Sequence, residues 1–518
     1  MTQHAGPEAG SSADHTAAQP GRQPLPDDAP QAELDVSAAV RTWLPGRRWF
    51  PAKGTQATFE RVARVMLPSP APPAPLVFID VLRALGAGPE GAPLLLQVPL
   101  VLEKGAPDPA ADPAPALSGL IAYTETTRLY DGAYHPAFVA AWLAAATWSA
   151  SAPGTAGPLD LRGMRVLTGE QSNTSVLLPH VCGGSMFKVF RSLASGQNPD
   201  VVVPRALTEV GWAGVPAPYA WSEITLDEAA SASPEREQEP GAAATPVWTS
   251  HSGVLAELVP DARDGFELAC DYARHGRPFD ELARDLGTQV AGMHAALRAA
   301  FPDAVAEADV DWLLAELRHR VRSATATSPA VRERAEAIEA FWCRLRVSAD
   351  DAAHHGRSLP PLQRIHGDLH LGQVLHSTAT GWRILDFEGE PLRPLSERTR
   401  PDLGERDVAG MLRSFDYAAA VGEADGPQWA QDARRGFLEG YYGAAAAPAR
   451  NSEGQERPSL DDRGVVLDAF ELDKALYEVV YEERNRPDWV TIPLTAVDRI
   501  LCAHLAVGPS QAGDADRP

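Results

Sequence analysis

The stretch Ile365–Pro391 (IHGDLHLGQVLHSTATGWRILDFEGEP) holds the side chains best suited to chemistry. Asp368 follows a His-Gly turn, Gln373 comes shortly after it, and Asp386 ends a short apolar segment, Trp382–Leu385, that reads as a strand. Two strand-like pieces joined by a turn at Gly381 bring all three to one end of a hairpin. Phosphoryl transfer needs such a set. Asp368 would orient an attacking hydroxyl and take its proton. Gln373 and Asp386 would offer oxygens to a Mg²⁺ that neutralises the β- and γ-phosphate oxygens of a nucleotide. HGD alone fits a polar turn equally well, whereas HGDLHLGQ followed by DFEGEP is far more specific. A zinc pair from His366 and His370 has i, i+4 spacing but needs a helix, which Gly367 opposes, and HExxH is absent.

Two further constellations stand apart from that segment. Gly169–Val176 (GEQSNTSV) lies between two strand candidates. Its small residues, Gly169, Ser172, Asn173, Thr174 and Ser175, let backbone N–H groups approach phosphates. The same residues also suit an ordinary hairpin turn. Near the C-terminus, Lys474, Tyr477, Glu478 and Tyr481 follow i, i+3, i+4, i+7 and share one helix face. Rings that stack on C–H faces beside charges that grip hydroxyls suit a sugar. An amphipathic helix with tyrosines at the core edge is the competing reading of the pattern alone.

The elements that must position these residues follow from periodicity. Residues 1–32 lack it and read as a disordered tail, as do 507–518. A cap over 33–150 contains strand candidates Phe59–Met66 and Leu76–Leu82 and a helix Pro136–Trp148. A second β-rich unit, 151–260, has strands at Met164–Leu167, Ser175–Leu178, Ser185–Phe190 and Val254–Val259. It also has a helix Pro199–Gly211 capped by Asn198, and a low-complexity insertion at 228–244. From 261 to 506 the pattern is helical. Leu282, Leu286, Val290, Met293 and Leu297 form one stripe, further helices follow at Trp312–Val321, Ala330–Val347, Asp407–Ala420 and Trp429–Tyr442, and a last one spans Val466 to Glu483. The fold class is therefore α+β.

Composition narrows the partners. The 518 residues exceed one ordinary core. The formal charge of −23 argues against nucleic acid or an anionic membrane. Four scattered cysteines form no CxxC pair. The longest apolar run, Ala137–Ala146, is too short to span a bilayer, and the N-terminus lacks a signal-peptide pattern, so a soluble cytoplasmic protein is expected. Only four of the basic residues are lysine: Lys53, Lys104, Lys188 and Lys474.

The HGDLHLGQ and DFEGEP segments resemble the catalytic and metal loops of aminoglycoside-phosphotransferase-like kinases. Gln373 stands where Asn is usual, as in the maltokinase branch. GEQSNTSV, Phe187–Asp200 (FKVFRSLASGQNPD) and Glu471–Pro493 (ELDKALYEVVYEERNRPDWVTIP) are also similar to maltokinase, over a span from about Trp43 to Ala506. The resemblance implies a bilobal protein-kinase-like fold with an N-terminal cap, and transfer of the γ-phosphate of ATP, with Mg²⁺, to the anomeric hydroxyl of maltose. In that family the product, maltose 1-phosphate, feeds α-glucan synthesis, and the kinase can associate with a trehalose-to-maltose isomerase. A monomer or homodimer is expected. Lys188 would pair the nucleotide phosphates, and Glu257 to Val259 would form the adenine hinge. His370, Lys474, Tyr477, Glu478, Tyr481 and Arg486 would face the acceptor, with Arg413 and Asp416 as weaker candidates that also suit structural charges. The acid that should pair Lys188 falls near Val202, leaving Asp200 and Glu209 as alternatives. Two rival functions remain: the same chemistry on another sugar or amino sugar such as glucosamine, and a non-catalytic nucleotide-binding scaffold.

Overall fold

The computed structural model describes residues 34–51, 57–69, 74–88, 92–105, 119–154, 158–167, 172–227, 247–354, 359–389, 398–445 and 460–506. The terminal tails, the 228–244 insertion and Gly169 lie outside the described residues.

The cap opens with helix α1 (Val36–Trp43), whose N-cap Asp35 accepts from the Ala38 N–H at 2.9 Å. Strands β1 (Thr58–Met66), β2 (Leu76–Leu85), β3 (Leu94–Lys104), β4 (Leu120–Tyr123) and β5 (Thr127–Asp131) form an antiparallel sheet in the order β1-β2-β3-β5-β4. Strand alternation splits β2 between two cores. Phe78, Leu82 and Ala84 pack with Trp49, Phe50 and α1. Val77, Ile79 and Val81 pack on the other side with helix α2 (Pro136–Ala145), Val176, Phe187 and Ile224. The cap and the next lobe therefore share one core.

The second sheet runs β6 (Thr147–Trp148), β7 (Arg165–Val166), β8 (Thr174–Leu178), β9 (Ser185–Val189), β11 (Pro218–Asp227) and β12 (Val247–Glu257) in the spatial order β6-β11-β12-β9-β8-β7. Strand β10 (Ser192–Leu193) leaves this lobe and pairs with β3 of the cap, Ser192 opposite Leu96. Helix α3 (Pro199–Glu209) has Asn198 as N-cap, accepting from the Asp200 N–H at 2.8 Å, and Pro199 in its first turn.

Strand β13 (Arg263–Asp264) begins the helical lobe. Helices α4 (Gly265–Arg274), α5 (Asp280–Ala300), α6 (Val310–Thr327) and α7 (Ala335–His354) precede the hairpin β14 (Val374–Ser377) and β15 (Gly381–Ile384). Helices α8 (Glu405–Val421), α9 (Gln428–Ala445), α10 (Leu460–Asn485) and α11 (Thr491–Ala506) follow. The stripe from Leu286 to Leu297 on α5 is buried as its spacing predicts, and α5 crosses α9 with its backbone in near contact. A Cβ on Gly440 would lie 1.9 Å from the Arg284 carbonyl and one on Gly287 2.1 Å from that of Phe437. The sequence reading ended the helices near Glu483. Pro487 does break α10, but α11 follows, with Pro493 in its first turn, where a missing N–H is tolerated. Among the described residues no helix is long and apolar enough to cross a membrane.

Candidate active site

Lys188 sits on β9, between β8 and β12, with Ser175 on one side and Val254 on the other. Phe187 and Val189 point into the shared core, so alternation sends Lys188 to the opposite face. Its Nζ donates to Asp200 Oδ2 at 2.7 Å and Asp386 Oδ1 at 2.9 Å, and lies 3.8 Å from Glu388 Oε1. The resemblance set the pairing acid near Val202. The structure puts it at Asp200, in the first turn of α3, where the helix dipole favours a carboxylate. The other acid considered, Glu209, is exposed and pairs with Arg205. Asp200 does more than neutralise the lysine: its Oδ1 accepts from the Phe387 N–H at 3.1 Å, tying α3 to the DFEG turn.

Asp386 holds a left-handed backbone, φ 62°, at the end of β15. The Leu385 N–H donates to the Gln373 carbonyl at 2.9 Å, and the Gln373 side chain hydrogen-bonds the Asp386 carboxylate. The hairpin therefore brings Gln373 and Asp386 together, as their spacing predicts. Burial alone would raise the Asp386 carboxyl, but the Lys188 ammonium outweighs it and holds the group below the usual range. Glu388 moves the other way. Its burial, reinforced by Asp200 and Asp386, pushes it up against the pull of Lys188. Asp200, Asp386 and Glu388 offer oxygens within 4.8 Å of one another. A divalent cation beside nucleotide phosphates suits these hard oxygen donors. Glu388 was not singled out from sequence, although its position two residues after Asp386 was the available signal.

The catalytic segment is hung from Asp407 on α8. This buried carboxylate, 1% exposed, accepts from the His366 N–H at 2.8 Å and the Gly367 N–H at 2.9 Å. His294 Nε2 donates to Asp407 Oδ2 at 2.9 Å, and His294 Nδ1 meets the Tyr441 hydroxyl at 2.8 Å. The close crossing of α5 and α9 is what lets His294 and Tyr441 meet. Burial opposes ionisation of Asp407, yet the His294 hydrogen bond holds its carboxyl below the usual range. Sequence reading missed this anchor, because one acid among many in a helix carries no local pattern. Replacing Asp407 with Asn turns a donor toward N–H groups that need an acceptor. The expected cost is about 1–3 kcal/mol in urea unfolding, with turnover down roughly 10²-fold because the loop shifts.

His366 donates from Nε2 to the Leu385 carbonyl at 2.7 Å, and His370 Nδ1 accepts from the Gly372 N–H at 3.0 Å. Both rings serve the loop backbone, and no helix spans them, so the zinc pair fails on geometry. Desolvation lowers the His370 pKa, which favours a neutral ring beside Asp368.

On the acceptor side, Lys474 Nζ lies 3.3 Å from Asp368 Oδ1 and 5.4 Å from the Tyr477 ring centroid. Tyr477 and Tyr481 stack at 6.5 Å, with Tyr481 41% exposed. Arg413, 1% exposed, donates to Glu478 Oε2 at 2.9 Å and Asp416 Oδ2 at 2.5 Å. Both carboxylates that could face an acceptor are thus already paired. Arg486 lies just past the end of α10, bonding Glu482 at 2.6 Å and covering Trp489 at 4.3 Å.

In the glycine loop the described residues turn inward. Asn173 donates to Glu388 at 3.2 Å, and its Nδ2 lies 3.4 Å from Ser172 Oγ. The Thr174 hydroxyl accepts from Arg191 Nε at 2.8 Å, and Ser175 is buried. At the far end of β12, the Glu257 N–H donates to the Ala217 carbonyl at 2.8 Å and its carboxylate accepts from the Ala217 N–H at 3.2 Å. Buried Val259 follows, where the chain leaves the lobe.

Residues 43–134 match the maltokinase N-terminal cap domain. The chain is maltokinase-like, with that cap on a kinase-like body. It is 29% identical over 363 residues to a glucosamine kinase of Streptacidiphilus jiangxiensis, covering 67% of this chain and 75% of the relative. It is also 29% identical over 358 residues to one of Mycolicibacterium smegmatis, covering 66% and 80%. The similarity in fold to solved kinases extends over nearly the whole chain. A solved glucosamine kinase superposes with a TM-score of 0.56 at 21% identity, covering 89% of this chain and 98% of that one. A second structure, in complex with glucosamine, ADP and inorganic phosphate, gives 0.54 at 23% identity, covering 90% and 99%.

Proposed function

We propose that the protein is an ATP-dependent sugar kinase whose acceptor is the anomeric hydroxyl of maltose. The observation that carries the kinase reading is the Lys188–Asp200–Asp386 cluster, tied through the His366–Leu385 hydrogen bond to the segment of Asp368, the base candidate, which hangs from Asp407. Asp368 accepts the acceptor's proton as its oxygen bonds to the γ-phosphorus, the bond from γ-phosphorus to the β,γ-bridging oxygen breaks, and ADP leaves. Lys188 steadies the nucleotide phosphates. Gln373, Asp386 and Glu388 would hold Mg²⁺, which supplies charge neutralisation at those oxygens. The scaffold reading rested on a missing partner for Lys188, and Asp200 fills that place.

The cap match and the charge on the acceptor side both favour maltose. Lys474 presents a cation there, while Arg413 already occupies Glu478 and Asp416, so an incoming ammonium meets repulsion rather than a counter-ion. The relatives support glucosamine as the second reading. Incubation with Mg-ATP and each sugar, read by ³¹P NMR, separates the two. The expected product is maltose 1-phosphate, with kcat/KM for maltose at least about 10²-fold above glucosamine, the equivalent of one well-made polar contact. A phosphorylated glucosamine formed faster would overturn the acceptor and keep the kinase. No phosphoryl transfer to any sugar would overturn both.

A further inference from the structure

Besides the core they share, the cap and the nucleotide lobe meet at one fully buried arginine. Arg191, 0% exposed, lies just beyond β9. Its Nη2 donates to Asp131 Oδ2 of the cap at 2.7 Å, its guanidinium covers the Trp49 ring of the cap at 4.5 Å, and its carbonyl accepts from the Gln97 N–H of β3 at 2.8 Å. Its other contacts reach the glycine loop. Nε donates to Thr174 Oγ1 at 2.8 Å, and the backbone N–H donates to Asn173 Oδ1 at 3.4 Å. Asn173 in turn holds Glu388 at 3.2 Å, beside Lys188 and Asp386.

A buried arginine is costly, and apolar residues of similar volume fill such a space at no loss of stability. Here Nη1 is also buried without an acceptor among the described residues. Plain packing does not account for a planar fork that spends two of its nitrogens on two different bodies, one acceptor in the cap and one in the loop.

We propose that Arg191 is a positioning residue through which the cap fixes the glycine loop, and that the cap thereby sets affinity for the nucleotide's phosphates. The cap contributes no atom to the nucleotide. Asp131 and Trp49 hold the guanidinium, the guanidinium holds Thr174, and Asn173 and Thr174 are thereby fixed before the phosphates arrive, so less conformational freedom is lost on binding.

Two variants act on this link from opposite ends. Asp131→Asn removes the ion pair from the cap side and keeps the oxygen that caps the Ala133 N–H. Arg191→Lys keeps the buried charge but cannot reach Asp131 and Thr174 together. Titration calorimetry with ADP, and steady-state kinetics with ATP, are expected to show Kd and KM for nucleotide raised about five- to tenfold, with KM for the sugar and kcat within twofold. Asp131→Glu, which restores the charge, should recover most of the loss. A purely structural tie predicts a lower Tm with unchanged ADP affinity, and that result in a folded variant overturns the proposal. If one variant does not fold, the other carries the same readout. The inference rests on the nucleotide-loop reading above, and the two fail differently. Wild-type protein that binds no ADP refutes the kinase reading, whereas wild type and variants that bind ADP equally refute the cap's role alone.

Discussion

Asp368→Asn is expected to lower kcat by about 10²–10⁴-fold, the range over which a positioned general base acts, while leaving ADP affinity within twofold. The side chains have the same shape, so the loop hung from Asp407 keeps its course. What is lost is a site for the acceptor's proton. The amide also removes the negative charge 3.3 Å from Lys474, so a change in sugar KM accompanies the loss of turnover. Single-turnover kinetics separates the chemical step from product release, and calorimetry reports ADP binding. A variant within about fivefold of wild-type kcat would remove Asp368 from its role.

Lys188→Met should hurt in two ways. The ammonium lies against Asp200, Asp386 and Glu388, and its removal leaves buried Asp200 facing the part-exposed Asp386 and Glu388 carboxylates. Removing one partner of a buried pair costs about 3–5 kcal/mol, so the metal-free variant should melt well below wild type. Glu388 is already raised in the wild type, and without the lysine it rises further. A carboxyl whose folded pKa lies above its unfolded value destabilises most at pH values above both. Lowering the pH through the raised value should therefore restore part of the variant's stability, and added Mg²⁺ should restore it at neutral pH. Turnover is expected to fall about 10²–10³-fold, the usual cost of deleting one charge-stabilising donor. A metal-free variant with wild-type Tm, or one that turns over at nearly wild-type rate, would contradict the cluster's role.

The catalytic end of the molecule was legible in sequence because its residues are local. Gln373 and Asp386 flank one short hairpin and Asp368 comes shortly before it, so turn chemistry and strand period set the geometry. Lys188 was legible through its place in FKVFR, which the resemblance assigns to the nucleotide phosphates, and Lys474, Tyr477 and Glu478 as a helix face. What escaped was set by contacts between distant segments. Asp200 was one of two acids near the expected place, and only the start of α3 over the DFEG turn selects it. Asp407 meets the HGD segment because α8 packs closely on it, a Cβ on Gly410 falling 2.4 Å from the Leu369 carbonyl, and that contact lies beyond any local window. Arg413 and Asp416 looked equally apt for sugar and for structure. Their pairing with each other and with Glu478 follows from how α8 meets α10. The cap showed no chemistry in sequence, and its polar tie to Thr174 is made by an arginine in another element.

The core shared by the cap and the nucleotide lobe bears on how the protein comes apart. Val77, Val101 and Tyr130 pack with Val176, Phe187 and Ile224, whereas the cluster around Leu286, Phe415 and Leu476 in the helical lobe takes in Val203, Leu207 and Val215 of the nucleotide lobe but no residue of the cap. The three regions are therefore expected to unfold with the cap coupled to the nucleotide lobe. Cutting away the cap would not yield a smaller kinase. It would strip the far side of β9 and take Lys188's strand down with it, so the cap and the ATP-facing sheet share a single melting temperature.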